Sequence, residues 1–477
     1  MGIVKIKGGI RRMMAQTILV SVVAFSVTAP GARAETLADA LVSAYKTSGL
    51  LDQNRALLRA ADEDVALAAA ALKPVIGWTA SITQSLGRAR SATFPTISDT
   101  DALNASGSLI AEQLLYDFGA SAFGTEAAKE TVLATRETLV SIEQDVLLRA
   151  VEAYMGVIEA AEFVDLRQNN LRLLGQELRA AQNRFEVGEV TRTDVALAEA
   201  QLANAQSGLA TAKGNFLIAV EEFRSIIGRP PGSLTPPPQL PDIASDLETA
   251  KALAVRRHPA LRAVQHRVSA AELQIRRAEA NTKPTVNLQG AISANEALDS
   301  NAFNTSASLG INAGGTIYAG GAQPASIRRA QALRDSERGN LHVVRRNIEQ
   351  NVGNAYARLA SARATLAASD GQVRAARIAF RGVREEATLG ARTTLDVLDA
   401  EQALLDAEAT RISAQSQLYV ASYAVLSSVG QLTARALGLP VQLYDPAEYY
   451  NLVKDGPSKR SKQGAQLDQV LQRLQKN

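Results

Sequence analysis

Two stretches decide the fold: Arg184-Phe185-Glu186-Val187-Gly188-Glu189-Val190-Thr191, continuing to Thr193-Asp194-Val195, and Leu389-Gly390-Ala391-Arg392-Thr393, leading to Asp396-Val397-Leu398-Asp399-Ala400. In each, a glycine is followed three residues later by threonine, and that threonine by aspartate after three more. Glycine takes the left-handed conformation that ends helices. Threonine with an acidic residue at the third position beyond it opens them. Each stretch is therefore a helix-to-helix turn, and the second copy lies 202 residues after the first.

The duplication extends outward. Tyr116 recurs as Tyr318, Tyr154 as Tyr356 and Gly228 as Gly430 at the same offset. Leu37 recurs as Leu247, and Lys73-Pro74 as Lys283-Pro284, at an offset of 210. The whole length difference thus falls between Pro74 and Tyr116. A repeat this long means two copies of one unit around a pseudo-symmetry axis. The units are residues 35–228 and 247–439, each a helix, two strands and a long helical hairpin. The Pro-rich linker 229–246 is stiff and extended. Residues 440–477 form a polar tail that is expected to be disordered.

Proline is absent between Pro95 and Pro230 and between Pro324 and Pro440. These windows are rich in Ala, Leu, Glu, Gln and Arg, all strong helix formers. Apolar residues step by three and four through Leu147, Val151, Tyr154, Ile158 and Ala161. The step resumes at Leu171, Leu174, Leu178, Ala181 and Phe185, and it recurs from Tyr356 to Ala387. This is coiled-coil spacing. A helix from Ser121 to Glu186 would be on the order of 100 Å long, a rod that no globular domain requires.

Each rod is preceded by two alternating segments. Ile76, Trp78, Ala80 and Ile82 alternate with Thr79, Ser81 and Thr83; Leu103, Ala105, Gly107 and Leu109 alternate with Asn104, Ser106 and Ser108. In the second copy, residues 285–293 and 306–312 do the same. One small or apolar face and one polar face fit strands between lipid and water, and equally an antiparallel sheet on a soluble core. The hairpin tips are expected near Arg88–Asp101 and Glu296–Phe303. Four strands cannot close a barrel, since about eight is the minimum, and open edges are not tolerated in lipid. If these strands span a membrane, copies must pool them: two give eight strands, three give twelve.

The bulk composition agrees with an exported protein. Lys5, Lys7, Arg11 and Arg12 precede an apolar run from Met13, and Ala32-Arg33-Ala34 supplies small residues for cleavage before Glu35. Residues 1–34 therefore read as a secretory signal. Removing their five basic residues takes the net charge from +3 to −2. The stretch from Lys454 onward holds six basic and two acidic residues, which leaves the body between Glu35 and Val453 near −6, so a nucleic-acid surface is not indicated. No cysteine is present, which excludes disulfides, thiolate chemistry and a lipid-modified N-terminal cysteine. His258, His266 and His342 lack metal-ligand spacing, no cofactor is indicated, and no acid–base or nucleophile set suggests an enzyme.

At the two turns the chain resembles the TolC family of outer-membrane efflux and secretion ducts. His258-Pro259-Ala260-Leu261 is similar to the family's helix-opening motif, and Ile317-Tyr318-Ala319-Gly320-Gly321 to its strand-ending segment. The resemblance spans Leu37 to Leu439. It implies a mainly α fold joined to a membrane β-barrel: a homotrimer whose twelve-stranded barrel continues into an α-helical tunnel across the periplasm. It also implies partners, namely a periplasmic adaptor (membrane fusion) protein and an inner-membrane RND or ABC transporter, which open the periplasmic end. Efflux and type I secretion are the implied tasks. The competing reading is a periplasmic or surface coiled-coil or adaptor protein; two hairpins and four amphipathic strands weigh against it.

Asp396 and Asp399 lie three apart at a helix start, hence on one face. In a trimer they would form two stacked carboxylate rings that favour cations, and they match the family's gate carboxylates. Thr393-x-x-Asp396 and Thr191-x-x-Asp194 also fit capping boxes, so either aspartate has a purely structural use. Asp399 escapes that reading because its counterpart is Leu197. Arg392 resembles the arginine that ties neighbouring coils in the closed state, with Thr193 and Asp194 as acceptors. The expected tyrosine partner is replaced by Ala387. Val187, Gly188, Thr191, Leu389, Gly390 and Thr393 are the implied docking tips. Trp78, Phe94, Phe303 and Tyr318 fit interfacial aromatic positions or ordinary packing.

Overall fold

The computed structural model describes residues 35–90, 97–237, 239–244, 246–457 and 461–475. The signal segment and Phe94 lie outside the described residues. The first repeat runs α1 (Leu37–Thr47), α2 (Gly49–Ala70), β1 (Val75–Arg90), β2 (Ile97–Tyr116), α3 (Ala120–Glu186) and α4 (Arg192–Ile227). The second runs α5 (Leu247–Arg257), α6 (Pro259–Ala280), β3 (Thr285–Ala297), β4 (Phe303–Gly314), α7 (Ala322–Thr388) and α8 (Thr394–Ser428). Both rods, α3 and α7, contain 67 residues, about 100 Å of helix.

The four strands form one antiparallel sheet in the order β1-β2-β3-β4. The two hairpins follow the repeat: Trp78 lies opposite Leu109, and their equivalents Leu288 and Ile311 lie opposite each other. Ile76, Trp78, Ile82, Leu86, Leu309 and Ile311 stand exposed along one face. Hydroxyls pair on the other, with Thr79 to Ser108 at 2.6 Å and Ser81 to Ser106 and Ser293 to Ser306 at 2.7 Å. Among the described residues no helix is long and apolar enough to cross a membrane.

The first hairpin corrects the expected loop at Arg88–Asp101. Strands β1 and β2 have 16 and 20 residues, against 13 and 12 in β3 and β4. Pairing continues to Arg90 opposite Ile97. The charged residues there serve as cross-strand partners, with Arg88 Nε to Asp99 Oδ1 at 2.7 Å and Gln84 Nε2 donating to Asp101 Oδ1 at 3.2 Å.

The main core lies along the middle of α3. Leu147, Val151 and Tyr154 meet Leu51 and Leu58 of α2, Phe223 and Ile227 of α4, and Leu432. Each such fully buried side chain contributes roughly 1.5–3 kcal/mol. The linker is strapped across this core by repeat-related tyrosines. The Tyr154 hydroxyl donates to the Glu35 and Thr235 carbonyls at 2.8 and 2.6 Å, and that of Tyr356 to the Ala244 carbonyl at 2.6 Å. Glu35 joins the strap through an ion pair with Arg229 at 2.6 Å and accepts the Gly232 N–H at 2.9 Å.

The tail departs from the expectation of disorder. It carries α9 (Pro446–Val453) and α10 (Lys462–Gln475). Leu467, Val470 and Leu471 pack on Ala66, Tyr449 and Val453, and Lys73 Nζ donates to the carbonyls of Asp455 and Gly456. Three- and four-residue spacing of apolar side chains on a polar helix was enough to dock it.

Candidate functional site

The two hairpin turns are built alike. Gly188 and Gly390 adopt φ of 79° and 78°, where a side chain would clash with the backbone. Each helix closes with a doubled bond. Glu189 N–H reaches Arg184 O at 2.9 Å and Gly188 N–H reaches Phe185 O at 3.0 Å; Ala391 and Gly390 repeat this onto Glu386 and Ala387. These are Schellman endings. The next helix then starts in a capping box. Thr191 N–H and Oγ1 donate to Asp194 Oδ2 at 2.9 and 2.7 Å, and Asp194 N–H donates back at 3.3 Å. Thr393 and Asp396 reproduce it at 2.9, 2.8 and 3.2 Å. The turns leave two large apolar groups in the open, Val187 at 71 % and Leu389 at 85 % exposure.

Asp396 is thus a capping residue in this chain. The Thr393 backbone N–H and hydroxyl, aided by the nearby Arg392 charge, hold its carboxyl below the usual range; Thr191 and Arg184 do the same for Asp194. Asp399 is exposed, and no hydrogen bond or ion pair is formed by it among the described residues. Its neighbours Val397 and Leu398 are both 3 % exposed, so α8 is anchored by them while Asp399 stays in solvent. Arg392 does not bond Thr193 or Asp194 within one chain. Its Nε pairs with Glu386 Oε2 at 2.9 Å, because the Gly390 turn brings Glu386 back within reach. Ala387 packs with Phe380 and Val397, so apolar contact closes the hairpin where a tyrosine hydroxyl was expected.

One feature of the site escaped the sequence. Leu398 of α8 sits between Leu174 of α3 and Ala205 of α4, joining the two hairpins. Beside it, Asn170 Nδ2 donates to Glu401 Oε1 at 3.0 Å, and Arg384 Nε pairs with Glu177 Oε1 at 3.1 Å. Glu401 is 3 % exposed, and its Oε2 has no partner among the described residues. Burial, reinforced by the Glu177 charge and offset by Asn170 and Arg384, pushes its carboxyl up to about 7. Such a carboxyl changes charge near neutral pH. The signal for it lay in Asn170 and Glu177, polar residues at seam spacing with Leu174 and Ala181.

Comparison with known proteins bears on this architecture directly. A model of the outer membrane efflux protein family matches residues 41–229 and 252–431, one segment for each repeat. The outer membrane efflux protein BepC of Brucella suis biovar 1 is 35% identical over 432 residues, which cover 90% of this chain and 92% of BepC. The alkaline protease secretion protein AprF of Pseudomonas aeruginosa is 26% identical over 330 residues, 67% of each chain. Among solved structures, the Campylobacter jejuni CmeC outer membrane channel superposes with a TM-score of 0.74 at 14% identity, over 88% of this chain and 90% of CmeC. With one family model matched across both of its repeats, the chain belongs to the outer membrane efflux protein family.

Proposed function

We propose that three copies of this chain enclose one conduit through the outer membrane and periplasm, and that its far end is a gate formed by the α8 tips. The observation that carries this reading is the four-stranded sheet, apolar on one face and hydroxyl-lined on the other, with β1 and β4 as outer edges. Three sheets supply twelve strands, enough to close a barrel without free edges. The conduit is passive. Energy for export comes from an inner-membrane transporter, reached through a periplasmic adaptor docked on the exposed Val187 and Leu389 turns. The names of the relatives, efflux for BepC and protease secretion for AprF, support export of either small molecules or proteins.

Asp396 and Asp399 are the gate residues in this reading. The capping bonds keep Asp396 ionised at periplasmic pH, and Asp399 is free to face the axis. Six carboxylates around one constriction attract cations and exclude anions. The test is the Asp396→Ala, Asp399→Ala double variant in planar bilayers, with each single variant alongside. Conductance should rise and cation preference fall, and Asp399→Ala should do so without loosening the α8 start. Unaltered ion selectivity in the double variant would remove both residues from the gate.

A further inference from the structure

We propose that removal of the signal segment is also a folding step: hydrolysis of the Ala34–Glu35 bond gives Glu35 an α-ammonium that bolts the Pro-rich linker to the start of α1 through the Ser233 carbonyl. The cut is the one expected after Ala32-Arg33-Ala34, and it does not depend on the three-copy conduit.

The linker engages every polar group of Glu35. The backbone N–H donates to the Ser233 carbonyl at 2.8 Å, and the Glu35 carbonyl accepts the Thr235 N–H at 3.2 Å. The same carbonyl accepts the Tyr154 and Thr235 hydroxyls at 2.8 and 3.3 Å. The carboxylate takes both arms of Arg229, at 3.0 and 2.6 Å, and the Gly232 N–H at 2.9 Å. A Cβ on residue 232 would meet Glu35 Oε2 at 3.2 Å, so glycine lets the linker close over the carboxylate. Glu35 is buried as a result.

Repeat two lacks this clamp. Tyr356 holds the Ala244 carbonyl as Tyr154 holds that of Glu35, but Ala244 sits inside continuous chain. At the 202-residue offset Arg229 becomes Gln431 and Gly232 becomes Ala434. The ion pair and its glycine belong only to the strap at which the cut creates a chain end.

Cutting the bond changes the donor. Water supplies the second carboxylate oxygen of Ala34 and two protons to the Glu35 nitrogen. A neutral amide donor becomes a charged one, and hydrogen bonds to charged groups contribute roughly twice as much as neutral ones. The new charge lies near the positive end of α1, which disfavours it, but two carboxylates offset that. One is that of Glu35 itself. The other is Asp39, which accepts the Thr36 N–H one peptide farther on, at 3.1 Å. Leu234 packs on the main core beside Leu37 and Leu41, so a firmer bond at Ser233 holds the linker down over that core.

The mature protein should begin at Glu35 by intact mass. Inserting two glycines between Ala34 and Glu35 keeps Ala32-Arg33-Ala34 for cleavage, moves the ammonium up to about 7 Å upstream and leaves an amide on Glu35. No clash is introduced, since the 2.8 Å bond to Ser233 already forms with Ala34 attached. Hydrogen exchange of residues 232–235, which include the two amides bonded to Glu35, should quicken about tenfold in the inserted protein. Acylation checks the same group in the unaltered chain, and decides the matter if the inserted chain does not assemble. The Glu35 α-amine of the folded protein should react with an acid anhydride about tenfold more slowly than that of a free peptide of residues 35–42. Equal exchange with and without the glycines, equal acylation of protein and peptide, or a mature chain that begins elsewhere overturns the inference.

Discussion

Replacing Glu401 with glutamine should remove a pH-dependent weakness in the contact between hairpins. In the docked arrangement this carboxyl is pushed up to about 7 from an ordinary 4.5, whereas in an undocked, solvated α8 it would titrate normally. The sign follows from the raised value. Below 4.5 both states are protonated and nothing is lost. Between 4.5 and 7 the undocked state ionises while the docked state does not, so docking weakens with rising pH. Above 7 the full cost is reached, about 3 kcal/mol at 1.36 kcal/mol for each pH unit. Glutamine keeps the oxygen that Asn170 donates to and cannot ionise. At pH 8, Glu401→Gln should therefore lower the local opening of the α8 start by roughly 100- to 300-fold relative to the parent. Hydrogen exchange of residues 394–405 between pH 6 and 8, corrected for intrinsic rates, measures that opening. The parent should lose protection across this range and the variant should not. Equal pH slopes in the two proteins would refute the reasoning.

Asp62 is fully buried with neither carboxyl oxygen hydrogen-bonded among the described residues, and burial pushes it up to about 6 against the pull of Arg136. Asp62→Asn should abolish a loss of about 2 kcal/mol between pH 4 and 8, read as a flatter dependence of Tm on pH. Tyr154→Phe strips the donor from two strap carbonyls and should cost about 1–3 kcal/mol; an unchanged Tm would show that the strap is held by other contacts. Thr393→Val removes a capping hydroxyl, costing about 1 kcal/mol. Exchange at residues 394–397 should quicken while Tm holds, and a global Tm drop would contradict a local cap.

The sequence made legible whatever was governed by local chemistry repeated at a fixed offset. Gly188 and Gly390 marked the turns, Thr191 and Thr393 marked the restarts, and period-two alternation marked all four strands. Features governed by tertiary contact were harder to read. Following only apolar residues selected Leu178 and Phe185 for the α3 seam, whereas the buried stripe is Asn170, Leu174, Glu177 and Ala181. Charged residues at Arg88, Asp99 and Asp101 suggested a loop, because their cross-strand partners are invisible until the register is known. The α10 helix was missed because its apolar residues need Ala66 and Tyr449 as a surface to fold against. At the candidate gate, sequence located Asp396 and Asp399 but could not say that Arg392 is engaged by Glu386.

In the three-copy conduit proposed above, the unequal hairpins would shape the outer rim. Twelve strands of one length would present a level rim, but the taller β1–β2 hairpin and the lower β3–β4 hairpin must alternate around the mouth. Three raised merlons would then stand between three notches, each merlon crossed by the Arg88–Asp99 pair. Anything approaching from outside meets the merlons first, and the notches become the sheltered lateral windows of the exit.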